Sequence, residues 1–232
     1  MSPISHQGHR KRMKERFAQE GLDHFSDIQV LELLLFYCNP RQDTNPIAHA
    51  LLDHFGSLAQ VLEAPVEELQ KVSGVGQNAA LFLHLITEVG RYYLVNRVTQ
   101  CRILSTVEAC ADFLLPFFYG RRVETVFLLC LDAKCKVLAC KEVGEGSVNS
   151  TGISIRRIVE TAIGVNATTV VLAHNHPSGL ALPSSEDIQV TRRIAQALHA
   201  VEITLADHII VADGDYVSMA ASDSRFHDCL MS

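Results

Sequence analysis

One short stretch of the chain brings two histidines, a serine and an aspartate within fourteen residues, and no other feature constrains the fold as strongly. It consists of the sequence HNHPSG at residues 174–179, followed by Ser184 and Asp187. The preceding run, residues 168–173, is apolar and rich in β-branched side chains, which predicts a buried strand. Pro177 cannot continue a central strand, so a loop must follow.

The spacing of the two histidines suits a metal site at the end of this strand. Side chains two residues apart on a strand point to the same face, so His174 and His176 can reach one ion. A helix beginning at Ser184 would carry Asp187 in its first turn. Two imidazole nitrogens and one carboxylate oxygen suit tetrahedral zinc, with the fourth position left for water. The sequence therefore predicts that His174, His176 and Asp187 bind Zn²⁺.

Other interpretations of these residues account for less of the pattern. Ser184 and Asp187 also fit a helix cap, but a cap does not explain the histidine pair. Amidohydrolase-type barrels begin with a similar pair. Because the chain ends at residue 232, only 56 residues follow His176, too few for a barrel of about 250 residues. The letters HNH also name a nuclease motif, but that motif is spread over a longer ββα unit.

The pattern His-x-His-Pro-Ser-Gly, followed by Pro-Ser-x-x-Asp, resembles the metal-binding signature of JAMM/MPN+ metalloproteases. The HNHPSG form resembles the bacterial RadC family in particular, and the resemblance covers essentially the whole chain. Further matching segments are FLLCLD at 127–132, GSVN at 146–149, Arg156 before a helix, NAT at 166–168 and DHII at 207–210. The resemblance implies an MPN fold, in which helices flank a curved mixed β-sheet that binds one zinc ion.

The resemblance also implies two catalytic groups besides the metal. A serine stabilises the oxyanion in JAMM enzymes, and Ser184 occupies the matching position. A glutamate near the first strand of the domain acts as general base, and Glu124 is the best match. Glu142 and Glu145 are alternatives because they lie near the end of the second strand. An exposed acid at the start of a strand is the competing interpretation of Glu124.

Two further features lie near the predicted site. Asp207 and His208 are candidates for orienting a ligand histidine, and a salt bridge or a strand cap is the structural alternative for them. RadC-like chains commonly have Pro-Arg-Glu where this chain has Ile155-Arg156-Arg157. The role of that glutamate therefore cannot be transferred to this chain.

Periodicity and capping signals predict an all-helical domain at residues 1–98 and an α/β MPN/JAMM domain at residues 104–232. In the first domain, Asn45-Pro46 opens a helix and Gly56 closes it. The second domain alternates helices and strands. Its predicted helices are 105–115, 155–165 and 184–199, and its predicted strands are 125–131, 136–142, 168–174, 202–205, 208–211 and 216–218.

The helical domain contains a helix–Gly-x-Gly–helix unit that resembles a helix-hairpin-helix DNA-binding motif. Backbone amides around Gly74, Gly76 and Gln77 are the candidate phosphate contacts. The turn lacks a basic residue, so a tight helical hairpin without DNA binding is the alternative. The cluster Arg10–Arg16 is either a phosphate-binding patch or a solvated helix face. Because the turn lacks a basic residue and residues 1–98 contain nine Lys/Arg against eleven Asp/Glu, we expect any DNA binding to be weak. We expect it to be non-specific because a hairpin turn contacts the phosphate backbone and not base edges.

Composition predicts a cytoplasmic protein. The seven cysteines contain no C-x-x-C pair, which favours free thiols in a reducing compartment. The N-terminus does not resemble a signal peptide, and the apolar runs are too short to span a membrane.

Three functional hypotheses follow from these patterns. The first is a zinc metallopeptidase or isopeptidase-like hydrolase acting on an unidentified peptide or protein, in a family whose name associates it with DNA repair. The second is a DNA-associated binding module. The third is a catalytically silent MPN scaffold, against which the intact ligand set argues.

Overall fold

The computed structural model describes residues 4–99, 103–146, 154–177 and 179–222. Within the resembling segments quoted above, residues 147–149 and Ser178 lie outside the described residues. The chain divides into two compact units, Met1–Val89 and Gly90–Ser232. This division falls inside one long helix, Gln77–Thr99. The domain boundary between residues 98 and 104 therefore stays a prediction about where the chain can be cut.

The first unit is helical. Its helices are α1 (Ile4–Glu20), α2 (Asp27–Cys38), α3 (Asn45–Phe55), α4 (Leu58–Glu63), α5 (Val66–Leu69) and the beginning of α6 (Gln77–Thr99). A capping box formed by Ser26 and Gln29 starts α2, and Gly56 ends α3 with a φ of 91°. One apolar core joins α2 to α6, and its fully buried members include Leu31, Leu35, Leu51, Val61, Leu69 and Leu83. Helix α1 packs through Met13 in a smaller cluster with Leu33 and Phe36.

The hairpin between α5 and α6 depends on a glycine. Gly74 has a φ of +87°, and a Cβ added there would lie 2.9 Å from Cγ1 of Ile47. Any other residue at this position would therefore be strained and would press on the core. Gly76 and Gln77 are exposed at the same turn, where the predicted DNA contacts lie. Binding of DNA at this turn stays a prediction.

Two cations of the Arg10–Arg16 cluster are used within the helical unit. The guanidinium of Arg10 donates hydrogen bonds to the carbonyl oxygens of Asn39 at 2.7 Å and Pro40 at 2.8 Å, just beyond the end of α2. Arg16 donates to the carbonyl oxygen of His24 at 2.6 Å. These arginines hold the segments that follow α1 and α2, so a phosphate contact from α1 would rest mainly on its remaining cations.

The second unit is a mixed sheet flanked by helices, as the sequence predicts. Its elements are the end of α6, α7 (Val107–Leu114), a 3₁₀ turn (Leu115–Phe118), β1 (Thr125–Leu131), β2 (Val137–Glu145), α8 (Ile155–Gly164), β3 (Thr169–Asn175), α9 (Ser185–His199), β4 (Thr204–Ala212), β5 (Asp215–Ser218) and α10 (Met219–Ser222). The strand order is β2-β1-β3-β4-β5. Among the strand pairs of the described residues, only β3–β4 is parallel.

The two strands predicted at 202–205 and 208–211 are one strand, β4. The pairing skips Ala206 between the partners of Val170 and Val171, which marks a β-bulge. Just after this bulge, the buried carboxylate of Asp207 accepts hydrogen bonds from the hydroxyl of Ser218 at 2.6 Å and from the backbone amide of Ala220 at 3.0 Å. The strand passes through the acid unbroken because its carboxylate is fully used by hydrogen bonds.

Alternation along β3 separates its side chains between two cores. Val170 and Leu172 pack with α8 and α9 on one face of the sheet. Val171 and Ala173 pack with α7 on the other face. The same alternation sends His174 toward α9 and Asn175 toward the opposite face.

The five cysteines in the described part of the chain (Cys38, Cys110, Cys130, Cys135 and Cys140) are free. Burial raises the pKa of Cys110 and of Cys130 to about 11, so both thiols stay protonated near neutral pH. Across the described residues, no helix is both long enough and apolar enough to cross a lipid bilayer.

We expect the second unit to fold when it is expressed alone, because it has its own core on both faces of the sheet. A fragment of residues 104–232 should give a cooperative thermal transition by circular dichroism. A fragment of residues 90–232 should be more stable by about 1 kcal/mol, because Val98 packs against the α7 core. An unfolded 104–232 fragment would place the boundary earlier in the chain.

Candidate metal centre

The donor atoms of the three predicted zinc ligands converge. His174 Nε2 and His176 Nε2 lie 2.8 Å apart. Asp187 Oδ1 lies 3.3 Å from His174 Nε2, and Asp187 Oδ2 lies 3.6 Å from His176 Nε2. Zinc–ligand bonds of about 2.0–2.1 Å give tetrahedral donor separations of roughly 3.3–3.4 Å. The set therefore fits a zinc ion, with the two imidazoles slightly closer than the ideal separation.

Two elements bring these ligands together. His174 lies at the buried end of β3, and His176 follows where the strand stops. The amide of His176 donates to the carbonyl oxygen of Val211 at 2.8 Å, which extends the alignment with β4 beyond the last strand residue. Asp187 lies in the first turn of α9 and is buried.

Ser184 and Asp187 form a helix cap, and the cap places Asp187 beside the two histidines. The amide of Asp187 donates to Ser184 Oγ at 3.1 Å, and the amide of Ser184 donates to Asp187 Oδ2 at 2.8 Å. The hydroxyl of Ser184 also donates to Asp187 Oδ2 at 2.6 Å. These bonds hold the carboxylate so that its other oxygen, Oδ1, faces His174. The cap and the metal site are therefore compatible interpretations of the same two residues.

Glu124 is the glutamate that approaches the histidines. One of its carboxylate oxygens and one ring nitrogen each of His174 and His176 all lie within 4.8 Å of one another. Glu142 instead pairs with the guanidinium of Arg121 at 2.9 Å, and Glu145 is exposed at the end of β2. Among the described residues, neither alternative is grouped with the two imidazoles.

A backbone carbonyl fixes the tautomer of His176. Nδ1 of His176 lies 3.0 Å from the carbonyl oxygen of Leu180. A carbonyl oxygen can only accept a hydrogen bond, so Nδ1 carries the proton. The lone pair of a neutral imidazole is then on Nε2, the atom that faces His174 and Asp187.

A buried chain of hydrogen bonds fixes the tautomer of His174. Thr191 Oγ1 lies 2.5 Å from the carbonyl oxygen of Asp187, so the hydroxyl must donate there. The hydroxyl oxygen then accepts from Nδ1 of His208 at 2.6 Å. A neutral His208 has its lone pair on Nε2, which accepts from Nδ1 of His174 at 2.7 Å. This order of donors leaves the lone pair of His174 on Nε2, toward the predicted metal.

Burial keeps His174 and His208, the two histidines linked by these hydrogen bonds, neutral. Desolvation lowers the pKa of His174 to about 4, although the nearby Asp187 carboxylate acts in the opposite direction. Desolvation also lowers the pKa of His208 well below its ordinary value, and the neighbouring imidazoles add to that effect. Neutral imidazole is the form that binds a metal ion.

The structure distinguishes the two residues predicted to orient a ligand. His208 contacts His174 directly, whereas Asp207 binds backbone amides and Ser218 beside β5. Thr191 lies outside the contiguous motif, and no site predicted from the sequence included it. Its position four residues after Asp187, on the same helical face, is the signal that would have indicated it.

We expect Thr191 to support zinc binding through His208. Thr191→Val keeps the side-chain size but removes the hydroxyl, so the buried Nδ1–H of His208 loses its acceptor. Zinc affinity, measured by competition with a chromophoric chelator, should fall by about 10- to 100-fold. Thr191→Ser keeps the hydroxyl and should bind zinc nearly as well as the unmodified protein. Equal affinity in the valine variant would contradict the hydrogen-bond order described above.

The metal-free protein should lose stability as the pH falls below about 6.5. The unfolded chain protonates His174 near its ordinary pKa of 6.5, whereas the folded chain does so only near 4. The free energy of unfolding should therefore fall by about 2 kcal/mol between pH 7 and pH 5, and His208 adds to the loss. Urea denaturation with excess chelator measures this. His174→Asn should reduce the difference, and an unchanged stability at pH 5 would contradict the expectation.

Comparisons with known proteins match both parts of the chain to described families. Residues 104–224 match the family model described as RadC-like JAB domain, and residues 4–81 match the one described as UPF0758 N-terminal. A UPF0758 protein of Ruegeria pomeroyi is 37% identical over 213 residues, which are 92% of this chain and 95% of the relative. A UPF0758 protein of Fusobacterium nucleatum is 34% identical over 225 residues, 94% of this chain and 97% of the relative. These matches confirm the resemblance carried by the HNHPSG motif, and the chain belongs to the RadC-like JAB-domain family.

Proposed function

We propose that this protein is a zinc-dependent peptidase or isopeptidase-like hydrolase. The observation that carries the proposal is the position of the Glu124 carboxylate, within 4.8 Å of a ring nitrogen of each histidine. Two imidazoles and an aspartate would by themselves make only a metal-binding site. A further carboxylate beside them supplies the proton acceptor that hydrolysis needs.

His174, His176 and Asp187 are the residues that would hold the ion. Bound there, zinc would supply a Lewis acid for a carbonyl oxygen and would lower the pKa of water. Hydrogen bonds within the protein already orient the side chains of these three residues. Leu180 and His208 orient the two imidazoles, and the cap of α9 orients the carboxylate of Asp187.

Glu124 and Ser184 would act on the substrate. Glu124 accepts a proton from the attacking water and delivers it to the nitrogen of the leaving group. Ser184 can donate a hydrogen bond to the oxyanion, but its hydroxyl proton is at present given to Asp187 Oδ2. The hydroxyl would have to rotate when the oxyanion forms, and the backbone amide of Ser184 would still hold Asp187.

Substrate would approach from the side of His176, the more exposed of the two imidazoles. Leu180 and Leu182 lie in the loop after this histidine and are about two-thirds exposed. Two exposed leucines in the loop that follows a predicted ligand would favour a peptide segment with an apolar side chain near the bond that is cleaved.

The DNA-associated and scaffold hypotheses become outcomes of the same experiments. A scaffold would keep the fold without hydrolysing any peptide or isopeptide bond. A DNA-associated module would bind duplex or single-stranded DNA through residues 1–98, weakly and with a steep dependence on salt. Any connection with DNA repair would rest on that result.

One zinc ion per chain should be present after purification from zinc-containing medium. His176→Ala removes one of three ligands, and elemental analysis should then show loss of the metal. Arg156→Ala is a suitable control, because the guanidinium is exposed and pairs with Glu160 on α8. Stoichiometric zinc in the His176 variant would contradict the proposed ligand set.

Glu124→Gln should keep zinc, but its rate of hydrolysis should fall by a factor on the order of 10²–10⁴. This factor is the usual contribution of general-base catalysis. The assay is a screen of peptides and lysine-linked isopeptides, with product detected by mass spectrometry. Glu142→Gln is the matched control, because its carboxylate pairs with Arg121. Equal activity in the Glu124 variant would remove the proposed base, and activity lost only in the control would transfer the role to Glu142.

A further inference from the structure

Asn175, between the two histidines, contacts the segment that carries Glu124. Its side chain is buried on the face of the sheet opposite His174. Asn175 Oδ1 accepts the backbone N–H of Thr125 at 2.7 Å. Asn175 Nδ2 donates to the carbonyl oxygen of Val123 at 3.2 Å and, more weakly, to that of Arg121 at 3.4 Å. One amide thus binds the backbone on both sides of Glu124.

Only one orientation of this amide satisfies its partners. The N–H of Thr125 can only donate, and the two carbonyl oxygens can only accept. Reversing the amide would place an oxygen against two oxygens and an NH₂ group against an N–H. The three contacts therefore specify an asparagine or a close equivalent, and an apolar side chain of the same size satisfies none of them.

We propose that Asn175 is a positioning residue that holds Glu124 beside the metal site. The proposal rests on the role proposed above for Glu124. The carbonyl oxygen of Glu124 is held separately by the amide of Gly146 at 2.7 Å, so the glutamate is fixed by its own backbone and by both neighbours. Its position depends on the strand that carries the ligand histidines, because Asn175 belongs to that strand.

This arrangement explains how the base and the ligands stay in register. A shift of β3 along the sheet would move His174 and Asn175 together, and Asn175 would carry the 121–125 segment with it. A general base must stay within hydrogen-bond reach of the water that it deprotonates, so a common support for both groups has a direct consequence for catalysis.

Asn175→Leu is the test variant, because leucine has nearly the same size and forms no hydrogen bond. Val171→Ala is the matched control, since Val171 is buried on the same face of the same strand and packs against α7. The control loses core packing without touching residues 121–125. Both proteins are studied at full length and loaded with zinc alone.

Three measurements decide the proposal. Zinc affinity by chelator competition should stay within about threefold of the unmodified protein in both variants. Hydrogen exchange of the Thr125 amide should accelerate by about tenfold or more in Asn175→Leu, relative to the Val171→Ala control. A crystal structure of Asn175→Leu should show the Glu124 carboxylate displaced from both imidazoles. Loss of zinc from this variant, or an unmoved Glu124, would overturn the proposal.

A double-mutant cycle tests whether Asn175 affects activity through Glu124. Asn175→Leu should lower kcat with little change in KM, and it should cause no further loss when Glu124 is already glutamine. Additive losses would overturn the proposal, because Asn175 would then act on something other than Glu124. If the unmodified protein hydrolyses nothing, the proposed function fails, while hydrogen exchange and the crystal structure still decide the role of Asn175.

Discussion

The alternation of side chains at the end of β3 is the constraint on which the candidate site depends. His174 points toward α9, where Asp187 and Thr191 lie, and Asn175 points to the opposite face, where it binds the backbone beside Glu124. A single extended strand thus supports predicted metal ligands on one face, and on the other face it holds the backbone of the segment that carries the proposed base. Pro177 then ends the strand, and the loop returns the Leu180 carbonyl to His176. Because the side-chain period is two, a register slip of one residue would exchange these roles completely.

The buried polar groups around His174 are stable because each has a defined partner. Burying an imidazole without a hydrogen bond is costly, and here His208, Thr191 and the carbonyl of Asp187 continue the chain without leaving a donor unpaired. The chain ends at a helix carbonyl, which can accept but cannot donate. That end group, the carbonyl of Asp187, sets the direction of every earlier hydrogen bond. The backbone of one predicted metal ligand therefore determines the tautomer of another, His174.

Local sequence predicted the parts of this site that lie close together along the chain. The HNHPSG motif and Ser-x-x-Asp indicated the ligands and the cap, because strand and helix periods determine which face a neighbouring residue occupies. Glu124 was selected through family resemblance, since fifty residues separate it from His174. Thr191 and Asn175 were not assigned roles, because their partners are met only after the sheet forms. The bulge at Ala206 also depends on the folded sheet: pairing with β3 keeps β4 continuous through Asp207, between the two strands predicted at 202–205 and 208–211.

In the first turn of α9, the carboxylate of Asp187 both caps the helix and faces the candidate metal centre. A helix N-terminus needs acceptors for its free amides, and a carboxylate there is favoured by the helix dipole. Asp187 meets that need with Oδ2, which leaves Oδ1 directed at His174. A carboxylate held by two donors has little rotational freedom to lose when a cation arrives, so cap formation removes part of the entropic cost of metal binding. The same bonds occupy the hydroxyl of Ser184. Its backbone amide gives Asp187 a second donor, so the hydroxyl can turn to a substrate oxygen while the cap remains in place.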